Sequence, residues 1–122
     1  MNSRADEERF EQGVELFNAG RFFECHEAWE DVWKSQSGEQ KLFTQGMIQA
    51  AAALLHASRG NRSGAASLYA KAREKIERFP DHYMGLALGE FRTAMREFFA
   101  IVLDAKRGES IPRAPKLRRI RR

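Results

Sequence analysis

Cysteine is nearly absent from this chain. Cys25 stands alone, so no internal disulfide framework can form, and the composition is compatible with a reducing compartment. Proline is almost as scarce: Pro80 interrupts the body, and Pro112 and Pro115 fall near the end. Residues 1–79 are therefore free of the residue that most reliably breaks helices. There is no long apolar run, because the longest, Met47 to Ala57, is interrupted by Gln49 and His56, which argues against a membrane span. The opening MNSRADEERFEQG lacks the apolar core of a secretory signal, and a cytoplasmic location without membrane association is expected. No segment alternates with a period of two for long enough to suggest a strand. What is present is ordinary for a globular chain: 122 residues, 43% hydrophobic and 31% charged, enough for one domain with its own core and too apolar for a disordered chain.

The net charge of +4 is unevenly placed. Residues 106–122 hold eight Lys or Arg against Glu109, so they carry +7, and the rest of the chain carries −3. The sequence thus divides into a bundle domain over residues 1–107 and a basic, extended C-terminal tail over 108–122. A run such as KLRRIRR has the cations to meet nucleic acid or an acidic membrane surface. No aromatic residue interleaves with the bases to stack on nucleobases, which disfavours a nucleic-acid partner. The favoured reading is an extended segment that Ile111, Leu117 and Ile120 pin to the body, with Pro112 and Pro115 preventing helix.

Helical spacing fills the remainder. Ser3 followed by Asp6 has the form of a helix start, and Phe10, Val14 and Phe17 recur until Asn18-Ala19-Gly20, predicting a helix over about 5–18. Further helices are expected over about 21–35, 39–58, from the Asn61/Ser63 cap to just before Pro80, and over about 86–106. The third is apolar nearly all round, as befits the middle of a bundle. Laying Gly20 over Gly60 reveals a weak repeat: a small residue five positions on (Cys25, Ala65), an aromatic nine on (Trp29, Tyr69) and a smaller side chain twelve on (Val32, Ala72). That spacing resembles the second half of a tetratricopeptide hairpin, although the repeat is about 40 residues rather than 34 and the motif's first-helix Trp and Gly have no counterpart. The expectation is an all-α, single-domain bundle of about five helices, built from stacked antiparallel hairpins. Cys25, in the small position, reads as structural rather than nucleophilic.

Residues Phe22 to Trp33 place ionisable groups among aromatics. At about 100° per residue, Phe22, Cys25, His26, Trp29, Val32 and Trp33 share one face, with His26 near its centre and Glu30 at its rim. Glu27 lies further round, and Glu24 and Asp31 point away. On the third helix Gln45, Gln49 and His56 form a narrow polar stripe. If that stripe meets the second helix, His26, Glu30 and His56 are candidate ligands for a divalent metal, with Glu27 as general base for a metal-bound water. The His-Glu-x-x-Glu spacing, however, lacks the second histidine of the zincin helix. The competing structural reading is that these groups satisfy one another and lock two hairpins in register.

These residues also carry a resemblance. Phe17-Asn18-x-Gly20-x-Phe22-Phe23-Glu24-x-His26-Glu27-x-x-Glu30-x-x-Trp33, then Gln45-Gly46-x-Ile48-Gln49-x-Ala51-Ala52, His56 and Arg59-Gly60-Asn61-x-x-Gly64-Ala65, resemble the bacterial and archaeal family called domain of unknown function 309, over about residues 9–78. The resemblance implies a small all-helical fold with no established reaction, and puts the family's polar positions on Glu24, His26, Glu27, Glu30, Gln45, Gln49, His56 and Asn61. With an incomplete catalytic set, the favoured function is a non-enzymatic module that binds a protein or small ligand in a groove beside Trp29 and Trp33; a metal-dependent, hydrolase-like enzyme is the alternative. So many large apolar residues in a small bundle are also compatible with a homodimer.

Overall fold

A computed structural model describes residues 3–106 and 108–120, arranged as five helices and one short hairpin. The first helix, α1, spans Arg4–Asn18. The Ser3 hydroxyl accepts the Asp6 amide at 3.1 Å, and Asp6 and Glu7 place negative charge at the positive end of the helix dipole. The helix closes through Gly20, at φ 77°, where the Gly20 and Arg21 amides donate back to the Phe17 and Leu16 carbonyls. Those two bonds satisfy carbonyls that the helix end would otherwise orphan.

The second and third helices, α2 (Phe22–Ser35) and α3 (Gly38–Ser58), follow, and α3 closes like α1. Gly60 sits at φ 75°, and the Gly60 and Asn61 amides donate to the Ala57 and His56 carbonyls. The forty-residue repeat is thus first a repeat of two identical helix closures, each feeding the next helix of an antiparallel hairpin. The fourth helix, α4, spans Arg62–Ile76. Consecutive helices pack on one another, α1 on α2, α2 on α3 and α3 on α4. Cys25, Ala65, Val32 and Ala72 are buried at those seams, as their repeat positions require. The first-helix glycine missing from the sequence comparison is present in substance. Gly13 lies directly under the Trp29 indole, where any Cβ would collide with the ring.

The last helix, α5 (Leu88–Asp104), closes the core across both hairpins: Phe91 meets Phe17 of α1 edge-on, and Phe99 stacks on Tyr69 of α4 at 4.3 Å. Between α4 and α5 the structure departs from expectation. α4 ends at Ile76 rather than just before Pro80, because Arg92 of α5 draws the chain away, donating to the Phe79 carbonyl at 2.8 Å and the Ile76 carbonyl at 3.3 Å. The turn after Pro80 is a hairpin, β1 (His82–Tyr83) paired antiparallel with β2 (Leu86–Ala87), with His82 opposite Ala87. Met84 and Gly85 both have positive φ, the backbone of a type I′ turn.

Residues 117–120 lie along the same hairpin. The Ala87 amide donates to the Arg118 carbonyl and the Ile120 amide to the Gly85 carbonyl, at 2.9 and 2.8 Å. The Asn18 side chain holds the Leu117 backbone from both sides, accepting at 2.7 Å and donating at 2.9 Å. Leu117 is buried, Ile120 half-buried and Ile111 exposed, so the expected apolar pin is chiefly Leu117. Arg118 pairs with Glu90 and Arg119 with Glu11. Among the described residues, no helix is long and apolar enough to cross a membrane.

Candidate functional site

Two contacts orient α2. Asp31 pairs with Arg9 of α1 at 2.9 Å, and the Trp33 ring lies under the Lys41 ammonium of α3 at 4.2 Å. With Cys25, Ala28, Trp29 and Val32 buried, the outward line of α2 reads Phe23, Glu27, Glu30 and Lys34, each one turn from the next. His26 and Trp33 sit on the shoulder that turns toward α3, and Glu24 and Asp31 on the shoulder that turns toward α1.

The third helix is oriented in the same way. A Cβ on Gly46 would come within 2.9 Å of Ile76 and 3.0 Å of Lys75, so that side of α3 faces α4, and the Lys41 side faces α2. Between them run Gln45, Gln49, Ala52 and His56, all half-buried. The polar stripe is thus the floor of a groove whose walls are α2 and α4. A Cβ on Gly64 would lie 2.9 Å from His56 Nδ1, which fixes the near edge of the α4 wall; Leu68, Lys71 and Lys75 continue along that edge.

His26 Nδ1 lies 3.2 Å from Glu30 Oε1, one turn along the same helix, and the two side chains are 33% and 49% exposed. His56 Nδ1 lies 2.8 Å from the Asn61 amide nitrogen; it accepts that bond, which leaves the proton of the neutral ring on Nε2. The Asn61 carbonyl oxygen in turn caps α4 by accepting from the Gly64 amide at 3.1 Å. Glu24 is drawn aside by Arg21 at 2.7 Å, and its carboxyl is held below the usual range, first by backbone hydrogen bonding and then by that guanidinium. Glu27 is exposed and forms no ion pair with any described residue. Trp29 belongs to the core: it is wholly buried, its indole N–H donating to the Phe10 carbonyl at 3.1 Å.

The groove therefore gathers His26, Glu30, Trp33, Gln45, Gln49, His56 and Asn61, with Glu27 outside it, Glu24 on the α1 side and Trp29 beneath. Each histidine is engaged by a neighbour about one turn away. Among the described residues, no group of three or more His, Cys, Asp or Glu side chains is placed to hold a metal ion. No side-chain hydrogen bond between described residues crosses from α2 to α3. The Gln49 carbonyl oxygen and the Trp33 indole N–H are buried without a partner among the described residues, as are the Gln36 amide and the Thr44 hydroxyl. Cys25 offers no nucleophile, since burial pushes its thiol pKa well up. Sequence reasoning missed Phe23, Lys71 and Lys75. The signal was the opposed charge of α2 and α4, which is visible only once both are known to border one groove.

Residues 10–68 match the model of a family described as "Domain of unknown function (DUF309)". Residues 10–68 belong to the DUF309 family. The DUF309 match starts at Phe10, under Trp29, and ends at Leu68 in the α4 wall, so it takes in the whole floor, the α2 wall and the Asn61–Gly64 corner. It stops short of Lys71, Lys75, α5 and the tail. An "Uncharacterized protein" of Aquifex aeolicus (strain VF5) is 34% identical over 82 residues, covering 66% of this chain and 25% of its own length. The chain thus spans about a quarter of the relative that it matches.

Proposed function

We propose that this DUF309 protein is a non-catalytic binding module that receives another protein along the groove between α2 and α4. The observation that carries this reading is the unused polarity of the groove. Were its polar groups present only to lock two hairpins together, they would bond across the α2–α3 seam. Instead the histidines are satisfied locally, and Gln49 and Trp33 each bury an unpartnered polar atom, a cost of roughly 1–3 kcal/mol apiece that packing alone gives no reason to keep. One further point supports it. The segment matched in the Aquifex relative is only 25% of that protein's length, as expected of a helical unit that serves a neighbour.

The test is capture by the purified protein from an extract of its own cells, beside two variants that strip the groove, Glu30→Ala and Gln45→Ala/Gln49→Ala. A partner retained by the parent, lost from both variants and cross-linked to groove residues supports the reading. Capture that is indifferent to both changes, with folding verified by circular dichroism, would sink it.

A further inference from the structure

The two walls of the groove carry opposite charge. α2 has four acids and one base, and its groove edge presents Glu30, with Glu27 on the adjoining outward line. α4 has four bases and one acid, and its groove edge presents Lys71 and Lys75, neither ion-paired with a described residue. Apolar surface borders the same groove: Phe23 is 55% exposed at one end of α2, and Ile48, Leu55 and Leu68 are half-buried around the floor, while Ile101 and Leu103 of α5 and Ile111 are exposed elsewhere. Gln45 to His56 runs about 16 Å, or three helical turns, at about 1.5 Å per residue.

From this we infer that the occupant is a helical segment of a partner protein, about three turns long, with Lys or Arg on the flank that meets α2, Asp or Glu on the flank that meets α4, and small or apolar residues toward the floor. The inference rests on the binding reading above and names its partner. A helix suits the site better than an extended peptide. The backbones of α2, α3 and α4 are already paired within their own helices, so a strand laid here would find no ladder to join, whereas a helix satisfies its own backbone. A partner of one charge would meet attraction from one wall and repulsion from the other, which makes the opposed walls a specificity device.

The experiment uses the full chain and three lactam-stapled helical peptides of sixteen residues with the same apolar face: one with Arg on one flank and Glu on the other, one with Arg on both, one with Glu on both. Anisotropy titration should favour the two-sign peptide over either single-sign peptide by at least about tenfold, and Phe23→Ala should lose a similar factor. Reversing the α2 wall with Glu27→Lys/Glu30→Lys should transfer the preference to the all-Glu peptide, and reversing the α4 wall with Lys71→Glu/Lys75→Glu should transfer it to the all-Arg peptide. Equal binding of the three peptides, or an unchanged ranking in the reversed proteins, overturns the inference. So does a parent protein that light scattering shows to be a dimer and that both reversals make monomeric, because the groove would then belong to a second copy. A groove-dependent captured partner that contributes no such helix would end this inference and leave the binding reading standing.

Discussion

Trp29 is fixed from every side: Phe10 and Phe17 stack on it at 5.6 and 5.8 Å, the Phe10 carbonyl takes its N–H, and Gly13 supplies the space beneath. Gly13→Ala is therefore expected to cost about 1–3 kcal/mol by overpacking, read as a lower urea midpoint with an altered tryptophan emission. The comparison is Gly20→Ala, where nothing crowds the new methyl and only the left-handed backbone objects, for about 1 kcal/mol. Gly13→Ala unfolding at the parental midpoint would mean that the α1–α2 seam is looser than drawn. A second expectation concerns Cys25, which burial leaves protonated and shielded. Ellman's reagent should modify it only as fast as the protein unfolds, and rapid labelling of the native protein would contradict that. Cys25 was legible because its repeat position demanded a small buried side chain. Trp29 was legible only in part: its place on the packing face with Phe22, Cys25 and Val32 was readable, but a helical wheel gives the direction of a side chain and not its depth, so a ring in the core and a ring beside a groove look alike.

Helices were the readable elements because closure and periodicity agreed in each. Ser3 and Gly20 bound α1 within a residue of expectation, and Gly60 and Asn61 mark where α3 gives way to α4. The hairpin was not readable, since two strands of two residues cannot show a period, and the early end of α4 depends on Arg92, sixteen residues away from Ile76. Asn61 performs two tasks at once, capping α4 and holding His56. Asn61→Ala should cost about 1 kcal/mol in denaturant unfolding, and Asn61→Asp, which keeps the capping oxygen, should recover most of it. If Asp does no better than Ala, the amide's bond to His56 matters more than the cap. The opposed walls belong to this scale too: neither helix sequence alone announces a groove, and only Gly46 against α4 and Trp33 against Lys41 put the two charge sets on facing edges.

For the molecule as a whole, the C-terminal segment decides how charge relates to stability. Residues 106–122 hold all of the excess positive charge, yet Arg118 and Arg119 are matched by Glu90 and Glu11, and Leu117 is buried. Ending the chain after Ala114 should remove about 1.5–3 kcal/mol through Leu117 burial alone, with the loss of both Asn18 bonds added to it. The Glu90–Arg118 pair adds a pH dependence whose sign is fixed. The hydrogen bond from Arg118 holds the Glu90 carboxyl below its ordinary range, and the same bond holds the guanidinium pKa up. A depressed carboxyl stabilises above its unfolded pKa, about 4.3, and that contribution disappears as pH falls through the lower folded value; the guanidinium stays charged throughout. In a double-mutant cycle of Glu90→Gln and Arg118→Gln, the coupling in urea midpoint should be present near about pH 6 and gone near about pH 3. Because both groups are solvent-exposed, the coupling is also expected to shrink in about 1 M salt. A coupling that is absent even near about pH 6 at low salt would mean that the segment is held by Leu117 and its backbone bonds, with the Glu90–Arg118 pair contributing nothing to its docking.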